Sequence, residues 1–318
     1  MNTHGVPSER AAPLGLLIKS YREDFHLAER LIASINRYNV DNLPVWIVVP
    51  DIDLELFMQF DGKSMRVLPE SVLGTYLVNK DIAGIRPGYI NQEIIKISFW
   101  ELGLADNYLP IDSDAIMVRK FGFKDLMWDD EYPYTVLVED KELLIDPEYY
   151  AEYWQGRELS LKQIQHEVGL DDKQLLTCHG HQVLNSKVLQ SLKAEFMQPR
   201  GMTYSDLLEI SPYEFSWYNF WLQINRTIPI YVREPFIKVA HTPTQHLELA
   251  LKGVTQDDLA RGYLGVVINS NFAKSWSNAR LQESRSQTLA RYLSWKILFS
   301  TLAQKSRNSI KYWLKLRN

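Results

Sequence analysis

Short, wholly apolar runs alternate with a stretch of helical periodicity over residues 14–68, and this alternation leaves few architectures open. Leu14-Gly-Leu-Leu-Ile-Lys19 and Val45-Trp-Ile-Val-Val49 are too short for buried helices and apolar on both strand faces. Such runs read as strands covered on both sides. Between them Leu27, Leu31, Ile32 and Ile35 recur at helical spacing, and Asp24 stands where an N-cap belongs. Pro50 stops the second run, residues 53–60 read as helical, and Met65 to Leu68 reads as a third strand. Strand, helix, strand at these lengths predicts an α/β fold, a mostly parallel sheet flanked by helices.

The same reading extends along the chain. Arg86-Pro-Gly-Tyr89 breaks it, and a helix from Asn91 to Leu102 is stopped by Gly103. A strand follows directly, and another is expected at Tyr134 to Val138. Ser160-Leu-Lys-Gln163 fits a capping box opening a helix that stops at Gly169. His181 to Asn185 reads as a strand, with Ser186 capping the next helix. Residues 211–225 form an aromatic-rich helix, and Ile228 to Tyr231 and Phe236 to Ala240 are late strands. Residues 1–12 read as a disordered leader, 13–277 as one domain and 278–318 as a helical tail.

The strand after Gly103 carries the chemistry. Asn107-Tyr-Leu-Pro-Ile-Asp-Ser-Asp-Ala-Ile-Met-Val118 is apolar and β-branched except for Asp112 and Asp114. Charges in such a segment need partners. On a continuous strand, residues i and i+2 face the same way, so the two carboxylates are expected to form a two-pronged oxygen site at the strand's end. Hard divalent cations suit it, and Mg²⁺ takes one or two carboxylates plus substrate phosphates. An Asp-rich surface turn is the alternative.

Gly88-Tyr-Ile-Asn-Gln-Glu-Ile-Ile-Lys-Ile97 and Tyr108-Leu-Pro-Ile-Asp-Ser-Asp-Ala115, with Leu17-Ile-Lys-Ser-Tyr-Arg-Glu-Asp24, His179-Gly-His-Gln-Val-Leu184 and Ser211-Pro-Tyr-Glu-Phe215, carry a resemblance. Over roughly residues 14–250 the chain resembles glycosyltransferases of the GT-A fold. In particular it resembles a poorly characterised bacterial family, a DUF6492-like domain of unknown function associated with surface polysaccharide genes. The segment Asn91-Gln92-Glu93 departs from that family's usual pattern. The resemblance implies a nucleotide-sugar donor and a glycan acceptor, the latter possible on a lipid carrier. Ser20, Tyr21 and Asp24 would line base and ribose, and Lys19 would reach a phosphate. Asp114 would bind Mn²⁺ or Mg²⁺ directly, with Asp112 touching ribose or sugar, and His241 is the candidate third ligand ahead of His246. His179 and His181 would lie on the acceptor side.

Several residues have two readings. Gln92 and Lys96 share a helical face, pointing at the donor or at solvent, and Ser113 completes the acidic triplet. Glu214 is the candidate general base or a first-turn helix acid. Tyr213, Trp217, Tyr218 and Trp221 form a sugar-stacking wall or simply core. Cys178-His179-Gly180-His181 lacks the second cluster that zinc requires. A non-catalytic glycan-binding module is the reading from another class. A sugar nucleotidyltransferase is disfavoured, because Ser20-Tyr-Arg-Glu-Asp24 has no glycine to cradle phosphates.

Charge and cysteine content bound the setting. One cysteine, Cys178, excludes an intrachain disulfide framework. The first residues lack the apolar core of a secretory signal. No apolar run approaches the roughly 20 residues of a spanning helix, so a cytosolic-side protein is expected. Residues 280–318 hold nine Lys or Arg and one acid, a balance of +8, whereas the whole chain carries −4. Bases interleaved with Trp, Tyr, Leu and Phe suit an amphipathic helix on an anionic bilayer, or a helix docked on the core. The acidic body argues against nucleic acid.

Overall fold

The computed structural model describes residues 11–139, 150, 154–171, 173–178, 180–241, 245, 249, 252–269, 303 and 306. The central sheet is built from β1 (Gly15–Lys19), β2 (Val45–Val49), β3 (Met65–Pro69), β4 (Asn107–Asp112) and a two-residue β7 (Leu184–Asn185). Their order is β3-β2-β1-β4-β7. The first four are parallel and β7 is antiparallel to β4. The α/β fold read from the sequence is therefore the observed one. Strands β1 and β2 are buried at every position, as strands covered on both faces must be. Gly15 is required where β1 passes Trp46, because a Cβ there would lie 2.1 Å from the indole ring.

Helices supply the crossovers. Helix α1 (Phe25–Tyr38) turns Leu27, Ala28, Leu31, Ile32 and Ile35 inward. Helix α2 (Pro87–Ser98) begins four residues before the expected Asn91, with Pro87 in its first turn; proline there forfeits only an N–H that the helix leaves unpaired anyway. A 3₁₀ turn carries it to Gly103, which adopts the left-handed conformation at φ 63°. The buried Tyr108 hydroxyl donates to the Lys96 carbonyl at 2.6 Å and ties α2 to β4.

Two small sheets complete the frame. One has the order β5-β10-β9, from β5 (Ala115–Met117), β9 (Ile237–Ala240) and β10 (Gly265–Ile268). The other pairs β6 (Tyr134–Val136) with β8 (Tyr231–Arg233). Strand β10 has no counterpart among the expected elements. Helix α3 spans Gln155–Val168 and α4 spans Glu214–Asn225. The expected capping box at Ser160 therefore falls inside α3: Arg157, Leu161, Ile164, Gln165 and Val168 already form one buried face. The expected cap at Ser186 is made instead by Asn185, whose side chain accepts from the Lys187 N–H. Asp24 stands before α1 without capping it. The tail 280–318 lies outside the described residues apart from two positions. Among the described residues no helix is long and apolar enough to cross a membrane.

Candidate functional site

Strand order fixes where a site can form. The chain runs outward from β1 through β2 to β3, then returns to the other side of β1 as β4. In an open parallel sheet, loops diverge at the carboxyl ends of the two strands flanking such a reversal, and a crevice opens there. Lys19 and Asp112 are the last residues of β1 and β4 and are register partners. A cleft of about 770 Å³ lies at this point, within the usual size of a small-molecule site.

The acidic triplet is not one continuous strand. Strand β4 ends at Asp112, Ser113 and Asp114 form a turn, and β5 starts at Ala115 in a different sheet. The expectation of two carboxylates on one strand face is thereby corrected. The chain changes sheets at the motif, so Asp112 and Asp114 have different surroundings. Ser113 Oγ donates to Asp24 Oδ2 at 3.1 Å, which fastens the loop after β1 to the turn.

Asp112 is held from three directions. Gln92 Nε2 donates to its Oδ1 at 3.1 Å, Lys96 Nζ lies 3.0 Å from the same oxygen, and His181 Nε2 accepts from the Asp112 N–H at 3.1 Å and lies 3.3 Å from Oδ2. Gln92 and Lys96, one helical turn apart, thus converge on Asp112. Burial alone would raise its carboxyl, but Lys96 and His181 outweigh it and hold Asp112 well below the usual carboxylate range.

Lys96 is itself buried and lies within 3.2 Å of Glu93, 3.0 Å of Asp112 and 3.0 Å of Glu214. Burial disfavours its charge, yet the three carboxylates win and keep it an ammonium. Three ionised acids on one cation leave two surplus negative charges, too many for an enclosed cluster. Burial, then the neighbouring Glu214, push the Glu93 carboxyl well above its usual range, against the opposing Lys96. Glu93 is therefore a carboxyl that holds its proton more tightly than an ordinary glutamate.

This has a pH signature. The folded protein binds that proton more tightly than the unfolded chain, whose glutamates titrate near ~4.3. Its stabilising contribution is full below that value and lost as pH rises through the folded-state value. Glu93→Gln keeps an uncharged amide in place and removes the titration. Wild type is expected to lose Tm relative to Glu93→Gln as pH rises from 4 to 9. Parallel Tm–pH curves for the two proteins would refute the raised Glu93 carboxyl.

The remaining expected residues divide. Lys19, Tyr21, Asp24, Gln92, Lys96, Asp112, Ser113, Asp114, His181, Tyr213, Glu214 and His241 line the cleft. Lys19 is bound to Glu70 at 2.8 Å and to the Ser20 carbonyl, so its charge is already met. Ser20 is buried and does not line the cleft. Trp217, Tyr218 and Trp221 are core, not a sugar wall: the Trp217 indole donates to the Ser211 carbonyl and Trp221 to Ser191 Oγ. The Tyr218 hydroxyl accepts from the Asn185 N–H. Only Tyr213 of that group faces the cleft. His179 and His246 lie outside the described residues.

For a divalent cation the protein's own donor set is sparse. Among the described residues no three His, Cys, Asp or Glu side chains form a metal-binding group, so Asp112, Asp114 and His241 are not assembled as one. Asp112 already holds Lys96 and His181. Burial, Arg157 and Lys238 push His241 down to about 3, and those two cations would repel a metal ion. Asp114 lines the cleft, and a single carboxylate suits Mg²⁺ or Mn²⁺ where substrate phosphates complete the shell.

The sequence reading missed Arg86, Tyr89, Glu93 and Arg157, all of which line the cleft. Arg86 is the residue before the first turn of α2, is exposed, and makes no ion pair with a described carboxylate. Glu93 had a usable signal: a charge set beside Ile90 and Ile94 on a buried helical face. Arg157 had none, because only the packing of α3 brings it there.

The molecule is thus an α/β protein with a polar cleft at its topological switch point, lined by an acidic turn and a helix N-terminus. The chain belongs to the family described as "Family of unknown function (DUF6492)", whose model matches residues 12–240. No protein of curated function matches it. Among solved structures it is similar in shape to the WbbM bifunctional glycosyltransferase, apo form. The TM-score is 0.47 at 13% identity, over 91% of this chain and 51% of that one. The chain therefore spans about half of that protein's length. A second likeness is mouse xyloside xylosyltransferase 1, apo form, with TM-score 0.39 and 11% identity, over 82% of this chain and 99% of that one.

Proposed function

We propose that the protein is a glycosyltransferase that takes a sugar from a nucleotide-diphosphate donor and passes it to a glycan hydroxyl. The observation that carries this reading is the Asp112-Ser113-Asp114 turn, delivered by β4 into the mouth of the switch-point cleft opposite Arg86 and the first turn of α2. A helix N-terminus with an exposed arginine beside it attracts a diphosphate. Tyr21 and Asp24, on the loop after β1, are the donor's neighbours on the other side.

The roles follow from the contacts. Glu214 takes the proton of the acceptor hydroxyl as the new C1–O bond forms and the C1–O bond to the diphosphate breaks. Lys96 holds Glu214 and Asp112 in a fixed relation, with Glu93 beside it in the same cluster. Charge developing on the departing diphosphate faces Arg86 and the α2 terminus. A Mn²⁺ or Mg²⁺ ion would be held by Asp114 together with the donor phosphates, neutralising charge on the leaving group. The lipid-linked form of the acceptor and membrane contact through 280–318 remain part of this proposal.

The test is a thermal-shift panel of nucleotide sugars with and without Mn²⁺. A ligand at a hundredfold excess over Kd stabilises by about 2.7 kcal/mol, a rise of several degrees. One nucleotide class is expected to give that rise with Mn²⁺, and Asp114→Ala to remove it. A panel with no shift, or a shift indifferent to Asp114→Ala, would overturn the reading.

A further inference from the structure

The cations of the cleft are not equivalent. Lys19 is answered by Glu70, and Lys96 by Glu93, Asp112 and Glu214. Arg86 is exposed, where water solvates it. Arg157 has neither solution. It is 8% exposed, on the first turn of α3, and lines the cleft. Its guanidinium lies 4.1 Å from the centre of the Tyr213 ring. Among the described residues no carboxylate forms an ion pair with it, and its buried Nε has no hydrogen-bond partner.

A buried guanidinium is costly unless paired and hydrogen-bonded. A ring face satisfies part of its charge and none of its fork of donors. The Arg157 corner of the cleft therefore carries a positive charge and offers planar donors. A bidentate oxyanion is what such a fork fits.

We propose that Arg157 is an anion-binding subsite for the acceptor, pairing with a carboxylate or phosphate group on the sugar chain. The inference rests on the sugar-transfer reading for the word acceptor. Tyr213, which the guanidinium covers, immediately precedes Glu214 in sequence. An anion held there places the attached sugar beside the proposed base. The acceptor class is thus an acidic glycan: one bearing a uronic acid, or one whose sugar is phosphate-linked.

Titrating the full chain with matched ligands tests this. Methyl glucuronide, glucose 1-phosphate and neutral methyl glucoside are compared by saturation-transfer NMR or calorimetry. Wild type is expected to bind at least one anionic sugar about tenfold or more tightly than the neutral one. Preference for methyl glucuronide identifies the carboxylate source, and preference for glucose 1-phosphate the phosphate. Arg157→Gln should abolish the preference, and Arg157→Lys should keep a smaller one, since it retains charge without the fork. The wild-type comparison stands even where a variant fails to fold. Equal affinity for charged and neutral sugars overturns the subsite, as does a preference unchanged in a folded Arg157→Gln protein. The nucleotide-sugar shift on the same wild-type preparation separates the two ideas. A donor shift without anion preference sinks this inference alone. Anion preference through Arg157 without a donor shift leaves the subsite standing and removes sugar transfer.

Discussion

Asp114→Ala is expected to lower kcat by about 10²–10³-fold, the cost of losing one stabiliser of charge on a leaving group, while leaving the fold intact. Asp114 sits in the turn between two sheets and lines the cleft. It is not part of the Lys96 cluster. Its removal should therefore leave the three contacts of Lys96 in place. Asp114→Asn, which keeps the shape and loses the charge, should fall as far in kcat. Asp112→Ala makes the informative contrast. It strips Lys96 and Gln92 of a shared partner, so it should lose stability as well as activity. Steady-state kinetics on the donor found by thermal shift, beside the Tm of each variant, checks the pattern. Wild-type kcat in Asp114→Ala would take the turn out of the chemistry.

Lys96→Met is expected to be the most destabilising single change in the site. It leaves Glu93, Asp112 and Glu214 packed together with no cation among them. Removing one partner of a buried ionic group costs about 3–5 kcal/mol, a fall in Tm of about 5–8 °C in a protein of this size. The direct cause is the charge left behind, so neutralising it should return part of the loss. Lys96→Met combined with Glu214→Gln is expected to melt higher than Lys96→Met alone. Such coupling is what a double-mutant cycle reads in residues sharing one network. A Lys96→Met protein within 1 kcal/mol of wild type, by urea denaturation, would show that the cluster is wetter or looser than its geometry states.

Much of the frame was legible from local pattern. The strands over Gly15–Lys19, Val45–Val49 and Met65–Pro69 and helix α1 are each announced by an apolar period that only one secondary structure satisfies. Boundaries were less so. Helix α3 starts five residues before Ser160, since a serine at a plausible spacing says nothing about the turn that precedes it. The two-residue β7 and the strand β10 are set by their pairing partners, which a single chain reading does not contain.

What the sequence determined by itself is that two charges in a β-branched segment need a partner, and that the segment ends a strand of an α/β sheet. It could not tell that Asp112 and Asp114 part company, because that depends on β5 leaving the central sheet to pair with β10. Nor could it bring Glu93 and Lys96 of α2 together with Asp112, His181 and Glu214, which come from separate stretches of chain and meet only in the packed fold. Local spacing encodes period and capping. Charge pairing across more than a hundred residues, as between Lys96 and Glu214, is decided by burial, which exists only in the folded molecule.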